Sequence, residues 1–161
     1  MLAADVAMPA MTDYICSRLT PDDLPLFKNL LRVFGEAFDD IATYQGAVPS
    51  DEYLRAFLAQ PHHIAIASQL EGTVVGGLVA YELMKFERAR REIYIYDLAV
   101  AADHRRKGIA TNLIEGLRRI AAARGAYVIF VQADRVDAPA IALYESLGIR
   151  EDVLHFDIRV T

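Results

Sequence analysis

Apolar positions change their spacing along this chain, and the change predicts strands and helices in succession. After Thr20, apolar residues recur three or four positions apart, as at Leu26 and Leu30, which is typical of a helix with one buried face. By contrast, His62–Ser68 has the alternation of a strand, and the turn at Glu71-Gly72 leads into a second strand at Thr73–Leu83, which predicts a β-hairpin. The first half of the chain therefore predicts a helix packed on a sheet.

The remaining segments continue the same alternation of elements. Ala126–Ala133 is almost continuously apolar, which is typical of a strand covered on both faces. The overall order β-α-α-β-β-β-α-β-α-β predicts an α/β or α+β fold with a mixed sheet. The other predicted elements are a helix from Ser50 to the residue before Pro61, a strand at Glu92–Val100, a helix at Arg106–Arg124, a helix capped by Asp137 and a final strand at Asp152–Val160.

Length and charge narrow the class of protein. A chain of 161 residues fits a single domain, residues 1–161, of which we expect residues 1–12 to be flexible. The net charge of −5 argues against a nucleic-acid-binding surface, which requires an excess of basic residues. An acidic surface suits cationic small molecules, although it is equally explained by solubility alone.

Cysteine usage and the N-terminus bear on the compartment. Cys16 is the one cysteine of the chain, so no internal disulfide can form and a reducing compartment is expected. The first eleven residues have no basic residue ahead of their apolar part, and no uncharged apolar run is long enough to span a membrane. These features predict a cytoplasmic protein without a membrane partner. No metal is expected, since adjacent His62 and His63 with one cysteine do not form a ligand set.

A basic turn between the strand at Glu92–Val100 and the following helix predicts an anion site. Three cations, Arg105, Arg106 and Lys107, precede Gly108, which lets the backbone approach an anion closely. The unpaired N–H groups and the dipole of a helix N-terminus add partial positive charge. The alternative is a solvated basic turn, but the preceding strand and the glycine favour a phosphate site.

The segment Arg105-Arg106-Lys107-Gly108-Ile109-Ala110 resembles the R/Q-x-x-G-x-G/A acetyl-coenzyme A signature of the GNAT acetyltransferases. Residues 94–100, 125–134, 142–150 and 155–158 extend the match, and together they resemble the aminoglycoside 3-N-acetyltransferases of the gentamicin-modifying branch. The resemblance runs from about Tyr14 to Ile158. It implies the GNAT fold, in which a mixed sheet has helices on both faces and the strands at Glu92–Val100 and Ala126–Ala133 splay apart.

The same resemblance implies acetyl-coenzyme A as the co-substrate. A bulge in the central strand would free backbone N–H groups around Leu98–Val100 to polarise the thioester carbonyl. Tyr144 matches the tyrosine that donates a proton to the leaving sulfur in many members, although a packed core tyrosine is the alternative. The implied cofactor-binding residues are Leu98, Ala99, Val100, Arg105, Arg106, Lys107, Gly108, Ile109, Ala110, Thr111 and Tyr144.

A base must take a proton from the acceptor ammonium. Asp97 is the first candidate, because a carboxylate within an apolar strand is costly unless it has a partner; a purely structural carboxylate is the alternative. Glu92 on the same strand and His155 near the C-terminus are the other candidates. The carboxylates proposed to attract a polycationic acceptor, together with His155, are Asp39, Asp40, Asp134 and Asp137, of which Asp137 could serve only as a helix cap.

The sequence therefore predicts an aminoglycoside 3-N-acetyltransferase that confers resistance to gentamicin-type antibiotics by direct acetyl transfer in a ternary complex. Two alternatives remain open. One is acetylation of another amine, such as a polyamine or a peptide N-terminus. The other is a non-catalytic acyl-coenzyme A-binding module. Exposed strand edges in this fold often pair across subunits, which suggests a homodimer.

Overall fold

A computed structural model describes residues 13–161 of the chain, so the expected flexibility of residues 1–12 lies outside the described residues. The chain divides into two compact units, one that ends at Val131 and a second, Gln132–Thr161, and each is described by itself. The elements of the first unit are β1 (Tyr14–Arg18), α1 (Leu24–Ala37), α2 (Ile41–Gln45), α3 (Asp51–Ala59), β2 (His63–Leu70), β3 (Thr73–Met84), β4 (Arg91–Val100), α4 (Ile109–Ala123) and β5 (Ala126–Val131); the second contains α5 (Ala138–Leu147).

The five strands form one mixed sheet in the order β1-β2-β3-β4-β5. The first four strands pair antiparallel, and β5 pairs parallel with β4. Parallel pairing of consecutive strands requires a crossover, which α4 supplies. The mixed α/β architecture predicted from the pattern of apolar residues is therefore confirmed.

Helices cover both faces of the sheet. On one face, α1 and α3 form a hydrophobic core with small strand residues such as Ala65 and Ala67. On the other face lie the alternate residues of β2, and the Ile66 side chain is next to α4. Leu113 and Leu117 of α4 are completely buried there. Each face is thus closed by an amphipathic helix, as the apolar spacing in α1 and α4 predicted.

The glycine pair in β3 allows α1 to approach the sheet closely. A Cβ atom at Gly77 would lie 2.6 Å from Cδ1 of Leu30 and 2.5 Å from the carbonyl oxygen of Ile66. At Gly76 it would lie 2.9 Å from the carbonyl oxygen of Ala99. Side chains at either position would collide with their neighbours, which explains the two glycines within a strand.

Three predicted features differ from the structure. The helix predicted at Arg106–Arg124 begins at Ile109, because Arg106 and Gly108 adopt left-handed backbone angles (φ 61° and 78°) that a right-handed helix excludes. The strand predicted to be covered on both faces is instead an edge strand, β5, in which Tyr127 is 51% and Phe130 38% exposed.

The third difference is the strand predicted at Asp152–Val160. These residues form no strand, and residues 148–161 are all exposed. The alternation of residue types is present, but a strand also requires a neighbour that completes its hydrogen-bonded ladder, which alternation alone does not supply. Across residues 13–161, none of the helices has both the length and the apolar character needed to cross a membrane.

Candidate functional site

A bulge in β4 creates the centre of the candidate site. Asp97 pairs with Val79 and Ile95 pairs with Ala80, so Tyr96 is an extra residue on β4 that has no counterpart on β3. Such a bulge bends a strand and redirects the neighbouring side chains. The resemblance implied a bulge in this strand near Leu98–Val100; the structure has it at Tyr96, and Leu98–Val100 pair regularly with β3.

The two strands that the resemblance expects to splay apart, β4 and β5, are paired over only half of β4. The pairing ends at Ile95 and Val131, and Tyr96–Val100 continue beyond it. On that side the described sheet provides no hydrogen-bond partners for the backbone of Leu98–Val100. Peptide groups next to such a gap can accept and donate hydrogen bonds to an extended, amide-containing ligand.

Asp97 lines a cavity of about 210 Å³ with mainly aromatic walls. The hydroxyl of Tyr44 donates a hydrogen bond of 2.8 Å to Oδ2 of Asp97. Tyr81 and Tyr96 also line the cavity and meet edge to face, with ring centroids 5.9 Å apart. The other residues lining this cavity are Phe27, Leu31, Phe34, Tyr53, Leu54, Phe57 and Val79.

The short helix α2 and the long helix α1 together position the ring of Tyr44. Asp40 caps α2 by accepting a hydrogen bond from the backbone N–H of Thr43 at 3.1 Å, and α2 in turn carries Tyr44. The Tyr44 ring packs edge to face on Phe34 of α1, 5.9 Å between centroids. Because Phe34 is buried in the core, the Tyr44 ring is held in place beside Asp97.

Burial shapes the electrostatics at Asp97. Burial raises the pKa of Asp97 above the usual carboxyl range, and the hydrogen bond from Tyr44 partly offsets this rise. No cation of the described chain is ion-paired with this carboxylate. The pKa of Tyr44 is also raised, by burial and by its bond to Asp97, so Tyr44 remains a proton donor. The result is a carboxylate that binds a proton more strongly than a surface aspartate.

The second candidate base on β4 has different surroundings. Glu92 accepts a hydrogen bond from the Tyr127 hydroxyl and lies 3.3 Å from Nζ of Lys85. The Tyr127 hydrogen bond, with a contribution from Lys85, lowers the pKa of Glu92. Glu92 does not line the cavity that contains Asp97. Its partners hold it as a carboxylate within a surface ion pair.

The basic turn lies directly before the N-terminus of α4. Arg106 and Gly108 have positive φ angles, and no side chain of the described chain caps the helix. Arg105 Nε donates to the carbonyl oxygen of Val100 at 3.1 Å, and Lys107 Nζ donates to that of Asp103 at 3.0 Å. These two bonds hold the turn in place. The first N–H groups of α4 donate to no side-chain cap in the described chain, which is also the arrangement of anion-binding sites at helix N-termini. The turn therefore fits a pyrophosphate group.

The remaining predicted site residues lie outside the cavity that contains Asp97, one of them in the first unit and the others in the second. Asp39 is exposed with a positive φ of 54°. In the second unit, Asp137 caps α5 by accepting from the N–H of Ala140 at 3.1 Å, as predicted. Burial and the nearby charge of Asp137 raise the pKa of Tyr144 to about 12. Asp134 is exposed, and His155 Nε2 lies 3.0 Å from Oδ1 of Asp157.

Sequence reasoning missed the aromatic residues contributed by the first unit. Tyr44 is 53 positions from Asp97 in the chain, and no local pattern connects them. Tyr53 of α3 and Tyr81 of β3 line the cavity that contains Asp97, and they belong to two further elements. Within residues 13–161, no group of three or more His, Cys, Asp or Glu side chains could hold a metal ion.

Comparison with known proteins identifies the class. The acetyltransferase (GNAT) family matches residues 30–149, which is more than half of the chain. The chain therefore belongs to the GNAT acetyltransferase family, and its mixed sheet with helices on both faces is the GNAT fold.

Two solved aminoglycoside acetyltransferases match this chain over nearly its whole length. The chain is 57% identical to an aminoglycoside acetyltransferase, HMB0005, from an uncultured soil metagenomic sample, with a TM-score of 0.91 over 92% of this chain and 99% of that chain. A second soil metagenomic aminoglycoside acetyltransferase, meta-AAC0020, was solved in complex with sisomicin; it is 32% identical, with a TM-score of 0.87 over 93% of this chain and 98% of that chain. The same enzyme was also solved with trehalose.

Curated relatives are more distant. A probable N-acetyltransferase, family 8 member 5, of Mus musculus is 24% identical over 132 residues, which cover 81% of this chain and 58% of the relative. The ribosomal protein bS18 alanine N-acetyltransferase of Escherichia coli K12 is 37% identical over 60 residues, covering 37% of this chain and 40% of the relative. The matches thus span about half the length of these curated relatives.

Proposed function

We propose that this protein is an acetyl-coenzyme A-dependent aminoglycoside N-acetyltransferase, acting on the 3-amino group of gentamicin-type antibiotics. The observation that carries the proposal is Asp97, a partly buried carboxylate without a cationic partner in the described chain, lying in an aromatic cavity beside the Tyr44 hydroxyl. The similarity over nearly the whole chain to two aminoglycoside acetyltransferases, one of them solved with sisomicin, supports this choice of acceptor.

The turn at residues 105–110 is proposed to hold the pyrophosphate of acetyl-coenzyme A. The co-substrate supplies the acetyl group as a thioester. The left-handed Gly108 and the uncapped start of α4 offer backbone N–H donors, and the Arg106 side chain adds positive charge. Peptide groups of Leu98–Val100 face the gap beside β5 and are proposed to bind the amide-containing arm. Thr111 adds a hydroxyl within the first turn of α4.

Asp97 is proposed to accept a proton from the acceptor ammonium. A carboxylate whose pKa is raised by burial is better matched to this task near neutral pH than an ordinary aspartate. The rings of Tyr81 and Tyr96 stabilise the ammonium through cation–π contacts before its proton is removed. Tyr44 holds the carboxylate in position by its hydrogen bond.

Tyr144 is proposed to donate a proton to the leaving sulfur. With a pKa of about 12, its hydroxyl stays protonated throughout the working pH range. The pairing of a carboxylate base with a phenol donor provides for both proton transfers of a direct reaction, so no acyl-enzyme is required. Asp39, Asp40, Asp134, Asp137 and His155 are proposed to attract the remaining ammonium groups of the antibiotic.

A second groove offers room for further sugar rings. It has a volume of about 310 Å³ and shares Tyr53 and Phe57 with the cavity that contains Asp97. His63 lies in this groove, and burial lowers its pKa, so the imidazole is neutral at pH 7 and does not repel a polycation. A multi-ring amino sugar is therefore proposed to lie across both concavities.

The test is thiol release from acetyl-coenzyme A with a panel of acceptors: gentamicin, sisomicin, spermidine and an alanine-terminated peptide. We expect release with the aminoglycosides, a 3-N-acetyl product by NMR, and a decrease of about 10²-fold or more in kcat for Asp97→Asn. Asp22→Asn, at an exposed position of the first helical turn, is the matched control. Activity with the peptide alone would favour the second candidate, which rests on the 60-residue match to the bS18 alanine acetyltransferase.

A further inference from the structure

Two side chains of β1 contact the residues that precede and follow the basic turn. The hydroxyl of Tyr14 lies 3.3 Å from Nδ1 of His104, which comes directly before Arg105. On the other side of the turn, Nδ2 of Asn112, in the first turn of α4, donates to Sγ of Cys16 at 3.3 Å. The partners are 90 and 96 positions apart in the chain, so only the fold brings them together.

The geometry of β1 makes both contacts possible at once. Tyr14 and Cys16 are two positions apart on a strand, so their side chains lie on the same side of the sheet, next to α4. Tyr14 is buried, and its ring meets the His104 ring edge to face, with centroids 6.0 Å apart. Its hydroxyl can donate to an unprotonated Nδ1 and accept from a protonated one, so the contact is kept in either state of His104.

The turn has a backbone that needs support from outside. Arg106 adopts a left-handed φ of 61°, which is unfavourable for a residue with a side chain. Strained residues of this kind persist only where the surrounding structure holds them. The two side-chain bonds within the turn join residues four and five positions apart, so they shape the turn locally. The contacts from Tyr14 and Cys16 add attachment to a distant strand on both sides of the strained residue.

We propose that Tyr14 and Cys16 are positioning residues for the co-substrate. Acting through His104 and Asn112, they hold the turn in the conformation in which its N–H groups bind pyrophosphate. The proposal rests on the proposed pyrophosphate site and extends it to β1. Donors that are already in place bind an anion without a cost of ordering, so loosening either side of the turn weakens the binding of coenzyme A. Sulfur is a weak acceptor, so the Tyr14 contact is the stronger of the two.

The first test is isothermal calorimetry with coenzyme A. We expect Tyr14→Phe, which removes only the hydroxyl, to raise the dissociation constant about threefold to tenfold, as the loss of one hydrogen bond does. Cys16→Ala should have a smaller effect, and Cys16→Ser, which keeps an acceptor for Asn112, should bind like the parent. Ser17→Ala, on the opposite side of β1, is the matched control and should also bind like the parent. Unchanged affinity in Tyr14→Phe would overturn the proposal.

A double-mutant cycle tests whether the Tyr14 hydroxyl acts through His104. The variants are Tyr14→Phe, His104→Phe and their combination, all of which keep a ring at each position. If the two side chains act as a pair, the double variant should bind coenzyme A no more weakly than the weaker single variant. Effects that multiply in the double variant would show that the two residues act independently, and would contradict the proposed route.

The second test distinguishes a change at the turn from a general loss of structure. In phosphorus NMR of the saturated complex, we expect Tyr14→Phe to move the pyrophosphate resonances of coenzyme A, while the resonance of its 3′-phosphate stays at the position it has in the parent complex. Pyrophosphate resonances at their parent positions would refute the positioning role. A parent protein that does not bind coenzyme A would refute the pyrophosphate site itself, whereas equal binding by parent and variant refutes only the role of β1.

Discussion

The hydroxyl of Tyr44 lies 2.8 Å from Oδ2 of Asp97, and this hydrogen bond joins a short helix to the bulged strand at the centre of the candidate site. Burial raises the pKa of Asp97, whereas the Tyr44 hydroxyl stabilises the ionised carboxylate and limits that rise. The pair therefore sets the pH at which Asp97 can accept a proton. It also determines the direction of the carboxylate, because the Tyr44 ring is packed against Phe34.

Replacing Tyr44 with phenylalanine should shift the pH dependence of activity. Without the hydrogen bond, the pKa of Asp97 rises further, so a smaller fraction of the enzyme has an ionised base at low pH. We expect the acidic limb of the kcat/KM profile to move to higher pH. The measurement is thiol release with a fixed aminoglycoside across the pH range.

The matched control for this shift is Tyr127→Phe. The Tyr127 hydroxyl donates to Glu92 and lowers the pKa of that carboxyl, just as Tyr44 does for Asp97. If Asp97 is the base, the acidic limb should stay in place in Tyr127→Phe. A limb that moves in Tyr127→Phe but not in Tyr44→Phe would instead assign the base to Glu92.

Asp97 should also lower the stability of the folded protein as pH rises. Folding raises the pKa of Asp97, so the native protein binds the Asp97 proton more tightly than the unfolded chain does. Ionised Asp97 therefore destabilises the fold at any pH above the ordinary carboxyl pKa. This destabilisation grows as the pH rises toward the native pKa of Asp97. We expect Asp97→Asn to have a higher Tm than the parent at pH 7, with a gain that shrinks toward about pH 4. Thermal unfolding at several pH values measures this, and a gain that does not vary with pH would contradict it.

Gly108 should be required for co-substrate binding. An alanine at this left-handed position introduces strain of about 1 kcal/mol and distorts the turn whose N–H groups are proposed to bind pyrophosphate. Gly125 at the other end of α4 is the matched control, since it has a similar φ of 71° and no neighbouring atom lies within 4 Å of the place that an added Cβ would take. We expect calorimetry with coenzyme A to show weakened binding for Gly108→Ala and near-parent binding for Gly125→Ala.

Glu82 should contribute strongly to stability. Its side chain is 5% exposed and is ion-paired with Arg91 at 2.6 Å and with Arg124, so it joins β3, β4 and the end of α4. Glu82→Gln removes the charge that both arginines face, and we expect a loss of about 3 kcal/mol, or roughly 6–12 °C in Tm. Glu87→Gln, in an exposed ion pair with Arg90, should change the Tm little. Equal shifts in the two variants would contradict the role of Glu82.

Local features of the chain were predictable because they depend on neighbours in sequence. Ser50 accepts a hydrogen bond from the N–H of Tyr53 at 3.2 Å, and Asp137 accepts one from Ala140, so the predicted helix start at Ser50 and the predicted cap at Asp137 are confirmed. The glycine pair Gly76–Gly77 is likewise explained by contacts that a Cβ atom at either position would make. Such features follow from side-chain length, backbone angles and a periodicity that a few residues define.

Features that depend on distant partners were not predictable in this way. An apolar run such as Ala126–Val131 has the same composition at a sheet centre and at an edge, so its exposure became evident only from the strand order. The alternation at Asp152–Val160 is equally compatible with a paired strand and with an exposed segment without secondary structure, as residues 148–161 are. In both cases the missing information is the identity of the neighbouring strand.

The sequence by itself determined the family, the order of most elements and the position of the basic turn, since each is written in contiguous residues. Only the tertiary structure decided that Asp97 shares a cavity with Tyr53 and Tyr81 and accepts a hydrogen bond from Tyr44, because those side chains come from four separate elements. The physical reason is that a site of this kind is defined by distances across the fold, and spacing along the chain does not encode them.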